Sequence, residues 1–341
     1  MKRIVSGIKP TGDLTLGNYI GALQQFVKLQ DELKDYEFFI FVADLHAITT
    51  PQDRVALRKN IKNVAALYIA CGLDPNRVNL FIQSEVSAHT ELNYIMESTL
   101  YVGEMERMIQ YKEKRANLEE AIRTSLLTYP ALMAADILLY DANLVPIGED
   151  QTQHLEITKV AANRFNHLYG DTFVIPEGKT TKVGAKIMGL QNPNKKMSKS
   201  DTVSDKDYIL LLDDLNIIKK KIKSAVTDSE ANVKFDLDNK PGISNLLTIY
   251  SALTNFTIKE LEVKYQNSTY GDFKNDLANV VSDHLSVVQN KYHEIINSGL
   301  LDTYLDNGRD RANQIAMRKM QKVYHKIGLG RKKRDWLLNP F

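Results

Sequence analysis

The run Phe38-Phe39-Ile40-Phe41-Val42-Ala43 decides the fold class. A strand with one wet face alternates apolar and polar residues. This run is apolar throughout, so it reads as a strand buried on both faces, as in a parallel sheet covered by helices. Upstream, Lys2-Arg3-Ile4-Val5-Ser6-Gly7-Ile8 reads as a short strand, and Pro10, Gly12 and Asp13 mark a loop. From Leu16 to about Leu33, the residues Tyr19, Ile20, Leu23, Phe26, Val27, Gln30 and Leu33 recur at helical spacings. Downstream, 53–71 reads as a helix and Val78-Asn79-Leu80-Phe81-Ile82 as another buried strand. Strand–helix–strand–helix–strand predicts an α/β fold with a doubly wound, Rossmann-like parallel sheet.

Farther along, residues 87–140 read as a less regular helical insertion, ending in a helix whose first turn is expected to hold Pro130. Leu144-Val145-Pro146-Ile147 is a further short strand, with a helix expected to begin near Asp150. Beyond about residue 205 the pattern turns helical, with candidates at 205–226, 242–254, 257–265, 271–297 and 309–327. The expected organisation is therefore an α/β catalytic unit at 1–204, with the insertion at 87–140, and a C-terminal all-helical region at 205–341. Gly328-Leu329-Gly330 reads as a helix stop before the basic Arg331-Lys332-Lys333-Arg334.

With 341 residues, 43% of them hydrophobic and 25% charged, the chain can bury a sizeable core and has the length for two domains. A formal net charge of +2 argues against a strongly basic nucleic-acid-coating protein, but leaves room for a local RNA-binding patch. Cys71, the single cysteine, sits in an apolar helical run and reads as a small buried hydrophobe. An intrachain disulfide and a cysteine-rich metal site are both excluded. The sequence shows no signal peptide and nothing near the roughly 18 apolar residues of a membrane span. A soluble cytoplasmic protein is expected.

Five groups of residues carry candidate chemistry. Thr15-Leu16-Gly17-Asn18 follows a strand and loop and opens a helix, where free N–H groups favour phosphate and Gly17 would let a nucleotide lie close. Thr15 reads equally as an ordinary helix N-cap. Lys195-Lys196-Met197-Ser198-Lys199-Ser200 places lysines and hydroxyls on a loop that could follow charge developing on transferring phosphates. Gly148-Glu149-Asp150-Gln151-Thr152-Gln153-His154 opens from a strand's carboxyl end, where α/β sheets bind ligands. Asp150 and Gln151 could reach a ribose hydroxyl or an ammonium group, and the same residues also fit an N-cap box. Met133 and Asp136 share a helical face. A carboxylate in the apolar run from Ala131 to Tyr140 needs a partner: an indole N–H would serve, and so would a structural ion pair. Asp44-Leu45-His46 follows the strand at 38–43, so His46 reads either as a loop cap or as a substrate contact.

Together these groups resemble the class I aminoacyl-tRNA synthetases and, within them, the bacterial tryptophanyl-tRNA synthetases. Thr15-Leu16-Gly17-Asn18 is similar to their form of the HIGH signature, and Lys196-Met197-Ser198-Lys199-Ser200 matches KMSKS letter for letter. Leu127-Thr128-Tyr129-Pro130, Leu132-Met133-Ala134-Ala135-Asp136, Gly148-Glu149-Asp150-Gln151, Lys223–Ser229 and Lys240–Leu246 match further blocks of that specificity. The resemblance implies activation of L-tryptophan by ATP to tryptophanyl-adenylate and pyrophosphate, then transfer to the 3′ end of tRNA(Trp). It further implies that Val5, Gly7, His46, Met133, Asp136, Val145, Ile147 and Gln151 surround tryptophan, with Asp136 on the indole nitrogen. Lys9, Gly17, Asn18, Asp150, Ile187, Met197 and Ser198 would surround ATP, and Lys114, Lys196 and Lys199 would hold the triphosphate. Mg2+ accompanies ATP, no zinc is expected, the family is a homodimer, and the helical region at 205–341 would recognise the anticodon. Many bacterial relatives carry an aromatic residue where Val5 stands and Gln where Lys9 stands. The segment Asp335–Phe341 runs past the usual end.

A tyrosine–tRNA ligase shares the fold, and an Asp serves a phenol hydroxyl as well; the Met-Ala-Ala-Asp and Gly-Glu-Asp-Gln blocks favour tryptophan. A small-molecule nucleotidylyltransferase shares the phosphate-binding helix, but the long helical half and full Lys-Met-Ser-Lys-Ser loop argue against it. Against a non-catalytic RNA-binding paralogue stand the intact Gly17, Lys196, Lys199, Asp136 and Gln151.

Overall fold

The computed structural model of the chain describes residues 1–10, 13–116, 123–148, 151–180, 186–199 and 204–331. Its centre is a five-stranded parallel sheet of order β3-β2-β1-β4-β5. The strands are β1 (Lys2–Ile8), β2 (Tyr36–Val42), β3 (Val78–Ile82), β4 (Leu144–Ile147) and β5 (Glu177–Thr180). Register runs Ile4↔Phe38 and Ile8↔Val42 between β1 and β2, Phe38↔Val78 between β2 and β3, and Ile4↔Leu144 between β1 and β4.

The unbroken apolar run is explained by two cores, one on each face of the sheet. Ile4, Phe38, Ile40, Val42, Val78 and Leu80 point into the first, and Val5, Phe39, Phe41, Phe81, Val145 and Ile147 into the second. The first face is covered by α1, which starts as Leu16–Asn18, passes through a π turn at Tyr19–Leu23 and continues as Gln24–Glu32. After the short α2 (Asp44–Ala47), helix α3 (Arg54–Ala70) packs on that face as well. The second face takes α4 (Ala88–Glu97), α7 (Thr124–Leu138) and α8 (Thr152–Tyr169), with α5 (Val102–Glu106) and α6 (Ile109–Ala116) between α4 and α7.

The rest is helical: α9 (Leu215–Lys223), α10 (Pro241–Leu253), α11 (Ile258–Lys264), α12 (Tyr270–Ser298) and α13 (Leu300–Ile327). Both cores draw on residues beyond 204. Leu246, Leu277 and Leu285 belong to the first, and Ala312, Ala316 and Met320 to the second. Helix α13 covers the edge strand β3 so closely that a Cβ at Gly308 would lie 1.9 Å from the Leu80 carbonyl oxygen. Covering that edge removes a template for unwanted strand pairing.

Four details differ from the sequence reading. Strand β5, Glu-Gly-Lys-Thr, has no apolar run to announce it, because it lies at the sheet's edge. Pro130 stands well inside α7, because Thr124–Tyr129 already form helical turns before it. The helix expected at 205–226 is only α9. After a 3₁₀ turn at Asp205–Asp207, Leu210 instead bridges to Thr15, with Leu16 N donating to Ile209 O (2.8 Å) and Leu211 N to Leu14 O (2.9 Å); a turn follows and the helix waits for the Asp214 cap. Helix α13 begins nine residues earlier than expected, at Leu300, directly after the left-handed Gly299 (φ 71°). Cys71 is buried, as expected of a small hydrophobe, and burial pushes its thiol up to about 12. Among the described residues, no helix is long and apolar enough to cross a membrane.

Candidate active site

The chain builds β1, β2 and β3 in one direction and then returns to place β4 and β5 on the other side of β1. Between β1 and β4 the strand order reverses, and the carboxyl ends part to leave a crevice there. A cavity of about 230 Å³ occupies it, lined by β1, the end of β2, His46 of α2, one face of α7, β4 and Gln151. Every residue expected around tryptophan is on its wall: Val5, Gly7, His46, Met133, Asp136, Val145, Ile147 and Gln151. Tyr129, Met133, Asp136 and Ile137 reach it together because their spacing puts them on one stripe of α7. Gly7 has no substitute here, since a Cβ would lie 2.7 Å from Phe41 O and 2.8 Å from the Phe41 ring, itself a cavity wall.

Asp136 is 2% exposed. Its Oδ2 accepts from His46 Nε2 (2.9 Å), and its Oδ1 from Gln83 Nε2 (2.7 Å) and His89 Nδ1 (2.6 Å). The Tyr140 hydroxyl meets His89 Nε2 at 2.8 Å. A neutral His89 satisfies this arrangement, donating from Nδ1 to the carboxylate and accepting the Tyr140 proton at Nε2. Burial alone would push the Asp136 carboxyl up; hydrogen bonds from His46 and His89 outweigh it and hold the group at about 2. The cavity wall therefore carries a fixed, ionised acceptor. Tyr140, whose hydroxyl burial pushes well above its ordinary range, stacks on Phe39 at 4.7 Å and closes the network from behind. About two turns before Asp136 on the same stripe of α7, Tyr129 hydrogen-bonds His154, and Lys9 Nζ lies 5.6 Å from the Tyr129 ring centroid. Lys9, expected on the ATP side, also lines this cavity.

The expected phosphate side is held mainly by backbone. Thr15 is indeed the N-cap of α1, and the Asn18 side chain accepts from Thr15 N and Oγ1 (2.9 Å each), closing a capping box. Behind Gly17 sit the buried Ile187 and Met197, whose Cβ atoms would be 3.6 and 3.4 Å from a Cβ added at the glycine. Met197 N donates to Ile187 O (3.0 Å) and Gly189 N to Lys195 O (2.8 Å), so the lysine-rich loop is one arm of a small hairpin. Asn245 of α10 grips that hairpin, accepting from Met188 N and donating to Met188 O, both at 2.9 Å. Asp207 accepts from Gln191 N (2.8 Å) and Asn192 N (2.9 Å) at its turn. Lys196 is exposed, Ser198 half-buried, and Lys199 pairs with Asp13 at 2.8 Å, a hydrogen bond that raises the lysine's pKa and keeps it cationic. Lys114 lies on α6; its side chain, like Asp150 and the segment Asp335–Phe341, is outside the described residues.

Gln83, His89, Tyr140, Asn245 and Asp207 also support the site, and their roles are not marked in the sequence. Only burial distinguishes His89 and Gln83 from ordinary polar residues, and both are completely buried. Asn245 lies in the Lys240–Leu246 block, which carried the only sequence signal for any of them.

The family model for class I tRNA synthetases of the tryptophan and tyrosine (W and Y) group matches residues 1–286. The chain is 58% identical over 331 residues to the tryptophan–tRNA ligase of Bacillus subtilis, covering 97% of this chain and 99% of that one. It is 57% identical over 332 residues to that of Oceanobacillus iheyensis, covering 97% and 100%. Among solved structures it is similar to tryptophanyl-tRNA synthetase from Mycoplasma pneumoniae (TM-score 0.86, 36% identity, 97% of this chain and 98% of that one). It is also similar to the Campylobacter jejuni enzyme complexed with ADP and tryptophan (TM-score 0.83, 35% identity, 96% and 100%).

Proposed function

This chain belongs to the class I tRNA synthetases of the tryptophan and tyrosine group, and we propose that within it the chain is a tryptophan–tRNA ligase. One observation carries the specificity: the ionised Asp136 carboxylate, fixed by His46, His89 and Gln83 in the wall of an otherwise largely apolar cavity. An indole N–H can only donate, and this acceptor cannot turn away. Met133, Val145 and Ile147 pack the ring, and Gln151 faces the ammonium group.

In the first step a tryptophan carboxylate oxygen attacks the α-phosphorus of ATP. The α–β phosphoanhydride bond breaks, and pyrophosphate leaves with the bonding pair. Gly17, Ile187 and Met197 receive the nucleotide, with Lys9, Asn18, Asp150 and Ser198 around it. Lys114, Lys196 and Lys199 follow the charge on the leaving phosphates. Lys199 must exchange Asp13 for phosphate to do so. Mg2+ would accompany the triphosphate and offset part of its charge. In the second step a hydroxyl of the tRNA's terminal adenosine attacks the adenylate carbonyl carbon; the acyl C–O bond to phosphate breaks, AMP leaves with the bonding pair, and the hydroxyl proton passes to the departing phosphate or to solvent.

The active unit is a cytoplasmic homodimer. Tyr94, Tyr101, Val102 and Ile109, between 57% and 71% exposed on α4 to α6 and the turn between them, suit a second copy. Residues 205–341 serve as the anticodon-facing region. The test is ATP–pyrophosphate exchange without tRNA, run with each of the twenty amino acids. Tryptophan alone should support exchange. Exchange with tyrosine instead would overturn the Asp136 assignment, and silence throughout would point to a non-catalytic paralogue.

A further inference from the structure

A second cavity, of about 430 Å³, opens between the segment after α2, the start of α3 and the start of α7. Arg54, Arg58 and Arg123 line it with Thr50 and Gln52, and Arg123 Nη1 donates to Ile48 O at 3.4 Å. The arginine ion pairs among the described residues belong to Arg3, Arg77, Arg164, Arg309 and Arg311. Among the described residues, the exposed Arg54, Arg58 and Arg123 have no carboxylate partner. The adjacent Asp53 is turned onto its own helix, where it accepts from Val55 N (3.0 Å) and Ala56 N (2.8 Å).

These positions are unfavourable for arginine on local grounds. Arg54 begins α3 and Arg58 follows at i+4, while Arg123 is the N-cap of α7. Cations at a helix N-terminus oppose its dipole, and like charges at i,i+4 repel. Among the described residues no carboxylate pairs with them, and their exposed guanidinium groups, gathered on one cavity, are open to an external anion. Guanidinium forks suit the paired oxygens of phosphate.

Its place selects which phosphate. Ile48 lies just beyond His46, and α7 runs from Arg123 to Tyr129, about 9 Å at about 1.5 Å per residue; His46 and Tyr129 both line the amino-acid cavity. We propose that this cavity binds phosphodiester groups of the RNA strand whose 3′ end enters the active site, holding the terminal nucleotides in register for transfer. The proposal rests on the ligase reading given above. Free ATP or pyrophosphate carries the same chemistry, and the experiment separates the sources.

In the full-length chain, Arg54→Gln, Arg58→Gln, Arg123→Gln and the triple variant are compared with their lysine counterparts. Pyrophosphate exchange without tRNA and aminoacylation of tRNA across a salt series are the readouts. Exchange should stay at the parent level, which also reports intact folding. The KM for tRNA should rise, and the slope of log(kcat/KM) against log salt should become shallower by about 0.7 per lost phosphate contact. Lysine variants should keep most of the slope. Parent-like tRNA kinetics in the triple variant would overturn the proposal. A parallel loss of exchange would do so too, by assigning the cavity to ATP or pyrophosphate. A parent that exchanges with tryptophan yet charges no tRNA would instead fail the ligase reading.

Discussion

The cavity proposed for the amino acid and the lysine-rich loop lie at the same end of the sheet, yet they are held by different means. Around the cavity, side chains hold side chains. Asp136 is fixed by His46, Gln83 and His89, and His89 by Tyr140, all buried before any ligand arrives. At the loop, the backbone is held by Asn245 and Asp207, while Lys196 is exposed and Lys199 rests on an Asp13 that is itself 42% exposed. Selection of a ring calls for an acceptor that does not move. Stabilising a charge that migrates from one phosphate to the next calls for cations on a firm base with mobile ends.

The contrast is broken most severely by Asp136→Ala. Removing the one fixed acceptor should cost about 10⁴-fold in kcat/KM for tryptophan and much of the discrimination against phenylalanine, as pyrophosphate exchange would register. A variant that still rejects phenylalanine as the parent does would refute the role. Lys199→Ala should slow adenylate formation by about 10²-fold or more while leaving tryptophan affinity, measured by calorimetry, unchanged. Equal losses in both would mean that the loop and the cavity are not separable.

Acid titration probes the same network through stability. The Asp136 carboxyl is held at about 2 in the folded chain against an ordinary 3.8, so its contribution is present above pH 3.8 and is lost as pH falls through 2. About 2–3 kcal/mol of the parent's acid destabilisation should therefore be missing from Asp136→Asn. The comparison is between the two chains' unfolding free energies in urea from pH 5 downward. Smallest is Asn245→Ala, which leaves the Met188 N–H and C=O without their side-chain partner. It should raise the KM for ATP about tenfold, near 1.4 kcal/mol, with tryptophan binding untouched.

Much of this was legible in the chain because it depends on local pattern. Phe38–Ala43 announced a strand buried on both faces, and the spacing of Met133 and Asp136 announced a shared face. What was not legible depends on contacts distant in sequence. Nothing near His89 or Gln83 says that Asp136 lies across the core from them. Leu210 looks helical until Thr15 is seen to pair with it. The three arginines of the second cavity come together only when α3 and α7 are placed side by side.

The most direct test of the central claim uses a tryptophan isostere in which sulfur replaces the indole N–H, benzothienylalanine, in pyrophosphate exchange. With Asp136 as a fixed acceptor for that N–H, the parent should lose about 10⁴-fold in kcat/KM, and Asp136→Ala should scarcely distinguish the two substrates. Equal use of both by the parent would mean that the buried carboxylate serves the fold and not the choice of amino acid.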